Sequence, residues 1–196
     1  VGGTPSVSNM IVADGAGECR RIFTANSSYD FPVGDETGTP EYSPLTLNFT
    51  SGTYSSAYAA VRVTNAKHPN NLAANNFLTR YWTVTQTGIS AFSCDITGTF
   101  PATDITGVAG STVTGKWNGS LPWKKFGPVT ATAISASGVT GFSDFTGISD
   151  NPLNVTIDAN PASTICKDAP LTLTANPVGD GPFTYLWSPN GETTQS

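Results

Sequence analysis

The stretch TRYWTVTQ, residues 79–86, alternates along its whole length: Tyr81, Thr83 and Thr85 fall on one side, and Arg80, Trp82, Val84 and Gln86 on the other. A period of two is that of a β-strand, whose successive side chains point to opposite faces of a sheet. A strand that is polar on one side and mainly apolar on the other suits an antiparallel sheet with one wet face. The stretch that starts PVTATAIS at Pro128 alternates too, with Val129, Ala131, Ala133 and Ser135 set against Thr130, Thr132, Ile134 and Ala136. Strand-like runs recur at 9–13, 21–25, 45–50, 57–64, 79–86, 90–98, 111–117 and 128–137, separated by turn residues. The helix candidate, NNLAANNF at 70–77, amounts to one or two turns and is weakened by its four Asn. Many strands without intervening helices predict an all-β chain whose main part, residues 1–150, is an antiparallel β-sandwich.

Composition agrees and excludes several functions. Charged residues make up 12% of the chain, against roughly 25% in ordinary soluble domains. Thr, Ser, Gly, Asn and Pro take their place, residues of strands and turns. The net charge of −5 speaks against a nucleic-acid partner, which needs a clustered basic face. Arg20-Arg21 and Lys124-Lys125 are the adjacent basic pairs and read as solvated positions. No apolar run approaches the roughly 18 residues of a spanning helix, so no membrane span is expected. The sequence starts on Val1 with no basic-plus-apolar leader, so any secretion signal is expected to lie outside it.

The last quarter of the sequence changes character. SDNPLNVTIDANPAS holds one strand between Pro-containing turns, and residues 151–164 read as a junction. From 165 a strand carrying Leu171, Leu173 and Ala175 leads through a Gly-Pro turn to an aromatic strand, 183–187, ending in Trp187. These fit the second and third strands of an immunoglobulin-like sandwich, with Trp187 as its core aromatic. Such a module needs roughly 80–100 residues, so residues 165–196 read as the N-terminal part of an incomplete domain. Of the three cysteines, Cys19 and Cys94 are the natural pair within the first region, leaving Cys166 alone; three buried free thiols are the alternative. With no CxxC pair and a single histidine, zinc is not expected.

Two sets of motifs resemble a known family. ICKDAPLTLTANPVGDGPFTYLWSPNGETTQS is similar to the opening half of the PKD-like or immunoglobulin-like repeats of very large secreted proteins of Bacteroidota. There a Cys precedes an LTLTA strand, then a Y-x-W-S-P-x-G strand and turn; Cys166, Leu171, Tyr185 and Thr193 open the matching pieces here. YDFPVGDETGTPEYSPLTLNFTSG, TRYWTVTQTG and VTGFSDFTGISD resemble elements found in that order in large surface proteins of the same phylum. The resemblance implies a module exported by the type IX route and displayed in an adhesin, gliding protein, stalk or extracellular filament. Its partners would be neighbouring domains of the same long chain, or neighbouring copies in a fibre. It also implies that the partner of Cys166 is a second cysteine late in the repeat.

Chemistry has few candidates. A Ser-His-Asp site would have to use His68, which sits in a Pro-Asn loop, and no GxSxG, phosphate-binding loop or HExxH is present. The expectation is a non-enzymatic structural or adhesive protein of the cell surface. The alternative is a carbohydrate-binding module that recognises surface glycans, with Trp117, Trp123 and Phe126 of KWNGSLPWKKFG stacking on sugar rings. Against that stands the simpler reading of both Trp as caps on the open end of the sandwich. Calcium is the one cofactor the residues suggest, through Asp14 and Glu18 in DGAGE and Asp144 and Asp150 in FSDFTGISDN, unless these are ordinary solvated turn carboxylates.

Overall fold

The computed structural model describes residues 2–13, 15–150, 154–160, 170–178 and 183–187, and in them the chain is all-β, with two short 3-10 turns and no α-helix. The strands are β1 (Ile11–Val12), β2 (Cys19–Phe23), β3 (Ser28–Phe31), β4 (Val33–Asp35), β5 (Glu41–Tyr42), β6 (Leu45–Thr64), β7 (Phe77–Leu78) and β8 (Tyr81–Thr99). After them come β9 (Ile105–Thr106), β10 (Thr112–Lys116), β11 (Lys124–Pro128), β12 (Ala133–Val139), β13 (Asp144–Ser149), β14 (Asn154–Asn160) and β15 (Thr172–Val178). The chain divides into two compact units, Val1–Asp150 and Asn151–Ser196.

The first unit is built on β6 and β8, which pair antiparallel along nearly their whole length. The sequence suggests two strands in each place, 45–50 with 57–64 and 79–86 with 90–98; the structure joins each couple into one strand that bends. The register slips between Phe49 and Tyr58, and positive φ angles at Ser56 (47°), Gly88 (72°) and Ala91 (48°) mark the corner. Gly88 is required there, because a Cβ would lie 2.1 Å from the Ser55 carbonyl oxygen.

The bend turns one sheet into two layers. Around the first half of β6 and the second half of β8, β3 and β12 add on either side; around the other halves stand β2 on one side and β13, β10 and β11 on the other. Trp82 near the start of β8 and Phe100 just past its end meet with ring centroids 6.5 Å apart, which requires the strand to fold back over itself. Inward residues of the two layers, among them Leu45, Leu47, Ile96 and Ile134 against Val61, Trp82, Val84 and Phe145, form one buried core. The two layers also meet where β12 reaches β10, the Ser135 amide donating to Thr114 Oγ1 at 3.0 Å. Three-stranded β1-β4-β5, in which β1 runs parallel to β4, and two-stranded β7-β9 are separate small sheets.

Other local expectations change too. Residues 70–77 form no helix: Asn71 Oδ1 accepts from the Ala73 amide, a backbone group a helix would need, and Asn76 takes a left-handed φ of 57° with its Oδ1 turned to the Val108 amide of a distant segment. The run at 128–137 splits between β11 and β12, because a turn closes from the Thr130 amide to the Ala133 carbonyl. That turn shifts the alternation, so Val129 is buried before it and Ile134 and Ala136 after it. In the second unit, β14 lies within the span expected to be a junction, yet it pairs antiparallel with β15.

The β14–β15 ribbon has a sharply divided character. Val155, Ile157 and Ala159 stand opposite Pro177, Ala175 and Leu173, giving one apolar face. On the other face Asn176 Nδ2 donates to Asp158 Oδ2 at 2.8 Å. Residues 183–187, expected to be an aromatic strand, do not form one, and Trp187 is half-buried. Cys166 and the motif segments at 165–169 and 188–196 lie outside the described residues.

Trp82 closes the two layers over Gly98, where an added Cβ would lie 3.3 Å from the indole and 2.9 Å from Leu45 Cδ1. Trp82 is fully buried, and its Nε1 donates to the Ser43 carbonyl at 2.9 Å. Trp82→Ala is expected to cost about 3–5 kcal/mol, measured as a lower urea midpoint at unchanged slope.

Candidate functional site

The β10–β11 hairpin pairs Gly115 with Lys125 and Lys116 with Lys124. One step further along the same register, Trp117 faces Trp123, their ring centroids 5.0 Å apart at 54°. The Trp117 amide donates to the Asp144 carbonyl at 2.9 Å, which fastens this end of the hairpin to β13. Against the Trp pair lies the loop that carries His68, whose ring is 4.9 Å from Trp123, 5.8 Å from Trp117 and 4.9 Å from Tyr81. Trp123 Nε1 donates to the Asn70 carbonyl at 3.3 Å. Both Trp are half-buried, and His68 beneath them is only 2% exposed. The structure thus brings Trp117 and Trp123 together, but as a pair packed on an imidazole rather than an open platform. Phe126 does not join them: it shares a face of β11 with Lys124 and packs against the core.

His68 is held at both nitrogens. Its Nδ1 accepts from the Asn70 amide at 3.2 Å, which leaves the proton of the neutral ring on Nε2 to be donated to Asp144 Oδ2 at 3.1 Å. A histidine base needs one nitrogen free to take a proton from a nucleophile; here neither is free, and the imidazole serves to hold Asp144. Burial alone would raise the Asp144 pKa, but hydrogen bonds from His68 and Thr83, aided by the charge of Arg62, outweigh it and hold the carboxyl below its ordinary value.

Of the carboxylates considered for calcium, Asp144 and Asp150 are not gathered. Asp144 opens β13 and Asp150 follows its end, six positions of extended chain apart, or roughly 20 Å. They cannot share an ion. Asp150 instead meets Lys125 at 3.2 Å. Glu18 accepts from Thr85 Oγ1 at 2.9 Å and from Arg20 at 3.4 Å, and Asp14 lies outside the described residues. Among the described residues no group of three or more His, Cys, Asp or Glu is arranged to hold a metal.

The bridge expected between Cys19 and Cys94 is not made; both are free, buried thiols. Cys19 in β2 pairs with Val61 and Cys94 in β8 pairs with Phe49, so they flank β6 on opposite sides, at points twelve residues apart along it. Burial raises both thiol pKa values, that of Cys94 to about 12, which makes it unreactive near neutrality.

The most connected polar group escaped sequence reasoning. Arg80 is fully buried, with Nε donating to Asp104 Oδ2 at 2.6 Å, Nη1 to Asp35 and Nη2 to Glu41. Asn65 Nδ2 bridges Asp35 at 3.0 Å and Glu41 at 3.2 Å. Three carboxylates thus converge on one guanidinium. Burial, reinforced by the charges of Asp104 and Asp35, raises the Glu41 pKa despite Arg80. The signal was present in TRYWTVTQ, where Arg80 shares the inward phase of Trp82 and Val84; its acceptors, 24 to 45 positions away, left no local trace. Beside this cluster runs a cleft of about 710 Å³ lined by Asp35, Thr37, Arg62, Asn65 and Tyr81 among others.

No protein-family model, curated protein or solved structure matches this chain.

The lowered Asp144 pKa fixes a pH dependence. Its contribution is fully present above the ordinary carboxylate value of about 4 and is lost as pH falls through the lowered one. Asp144→Asn is therefore expected to destabilise the protein by about 1–3 kcal/mol at pH 7, the difference from wild type shrinking in denaturation curves taken below about pH 4. A difference that stays constant down to pH 2 would contradict it.

Proposed function

We propose that this chain is a non-enzymatic structural and adhesive module of a long protein displayed at the cell surface. The observation that carries the reading is where the first unit's chemically capable groups go. His68, Asp35, Asp104 and Glu41 all bond to partners that hold strands and loops in place. Two β units in succession along the chain suit a beaded architecture. The motif resemblance to surface proteins of Bacteroidota supports display outside the cell and export by the type IX route. In this role the work is mechanical, and adhesion comes from loops presented many times along a fibre.

A second reading is favoured by one feature, the half-buried Trp117–Trp123 pair at the end of the β10–β11 hairpin. Paired indoles beside Asn118 suit a carbohydrate-binding site.

Antibodies against the purified chain are expected to label intact producing cells, and protease added outside to remove the label. Labelling that appears only after permeabilisation would sink the surface reading. The glycan reading expects array binding that Trp123→Ala reduces.

A further inference from the structure

The β10–β11 hairpin sets two lysines against each other. Lys116 and Lys124 are direct cross-strand partners, and like charges placed so destabilise a strand pair. Neither has a carboxylate partner among the described residues. Lys116 Nζ donates to Asn118 Oδ1 at 3.2 Å, and the Lys124 ammonium sits 5.1 Å from the centre of the Phe126 ring. Burial, and then the neighbouring Lys124 charge, lower the Lys116 pKa. Lys125, one residue on, meets Asp150 at 3.2 Å. A chain of net charge −5 with nine basic residues therefore concentrates three of them on one hairpin, two without a counter-ion. The next pair in the register, on the opposite face, is Trp117 with Trp123. β11 is the terminal strand in the order of its sheet, so a long ligand running along that border can touch both of its faces.

We propose that this hairpin binds an acidic polysaccharide, with Lys116 and Lys124 taking a carboxylate or sulfate group and the Trp117–Trp123 pair packing against the adjoining sugar rings. The proposal rests on the carbohydrate-binding reading and narrows it. An anion between the two ammonium groups replaces a repulsion with two charge-assisted hydrogen bonds. A neutral sugar leaves the repulsion in place, so the site discriminates by charge.

Binding of the full chain to polygalacturonate, dextran sulfate and neutral dextran, by biolayer interferometry, tests this. At least one acidic polymer is expected to bind, and the affinity to fall about tenfold when salt rises from about 50 to about 300 mM. The Lys116→Gln/Lys124→Gln variant is expected to lose about tenfold in affinity, with a melting temperature equal to or above that of wild type. Binding of polygalacturonate alone assigns the site to carboxylates, and of dextran sulfate alone to sulfates. If the double variant binds as well as wild type, or neutral dextran binds as well as the acidic polymers, the charge-based proposal is overturned. In that case a loss of binding in Trp123→Ala leaves the broader carbohydrate reading standing. If no polymer binds, both fall.

Discussion

Everything in the first unit depends on two strands that do not stop where the sheet must turn. β6 and β8 run through both layers, and their mutual ladder is the template on which the other strands of the large sheet assemble. The turn is possible because the register slips at the corner and because Gly88 adopts a conformation that brings it against the Ser55 carbonyl. It is favourable because it places Trp82 over Gly98, burying a large ring between layers that belong to the same strand.

Polar groups in the interior follow the same logic of fastening distant segments. Arg80, two residues before Trp82, draws β4, β5 and the turn at Ala102–Asp104 to the head of β8. A guanidinium is suited to this, since its planar array of donors can serve several carboxylates at once. A buried ion is favourable only when its donors are satisfied, and here three carboxylates satisfy it. His68 does the same on a smaller scale, linking the loop after β6 to β13 through Asp144. In both cases an inward ionisable side chain fastens one segment of the fold to another.

The all-β class was legible because alternation is a local property, and TRYWTVTQ keeps its phase from Arg80 to Val84, with Arg80, Trp82 and Val84 inward. Merging of the shorter runs into β6 and β8 was not legible, since Gly88, Ser90 and Ala91 read as turn or strand according to what packs on them. The Trp117–Trp123 contact was half visible: the sequence placed both in one loop-like stretch, but the cross-strand register that makes them partners depends on β10 and β11 forming a hairpin. The Cys19–Cys94 pairing failed for a related reason, because proximity in the list of cysteines says nothing of which side of β6 each occupies. The pairing of Asp144 with Asp150 for calcium failed because a strand, rather than a turn, separates them.

Continuity of β6 and β8 through the corner has a mechanical consequence. In a sandwich whose layers are joined only by loops and side-chain packing, a force that separates the layers has to overcome apolar contacts and little else. Here the same two backbones lie in both layers, so such a force is borne partly by covalent bonds and by the hydrogen-bond ladder between the strands, loaded in shear. The weak direction moves elsewhere, to the peeling of border strands such as β2 and β11 from the sheet one rung at a time.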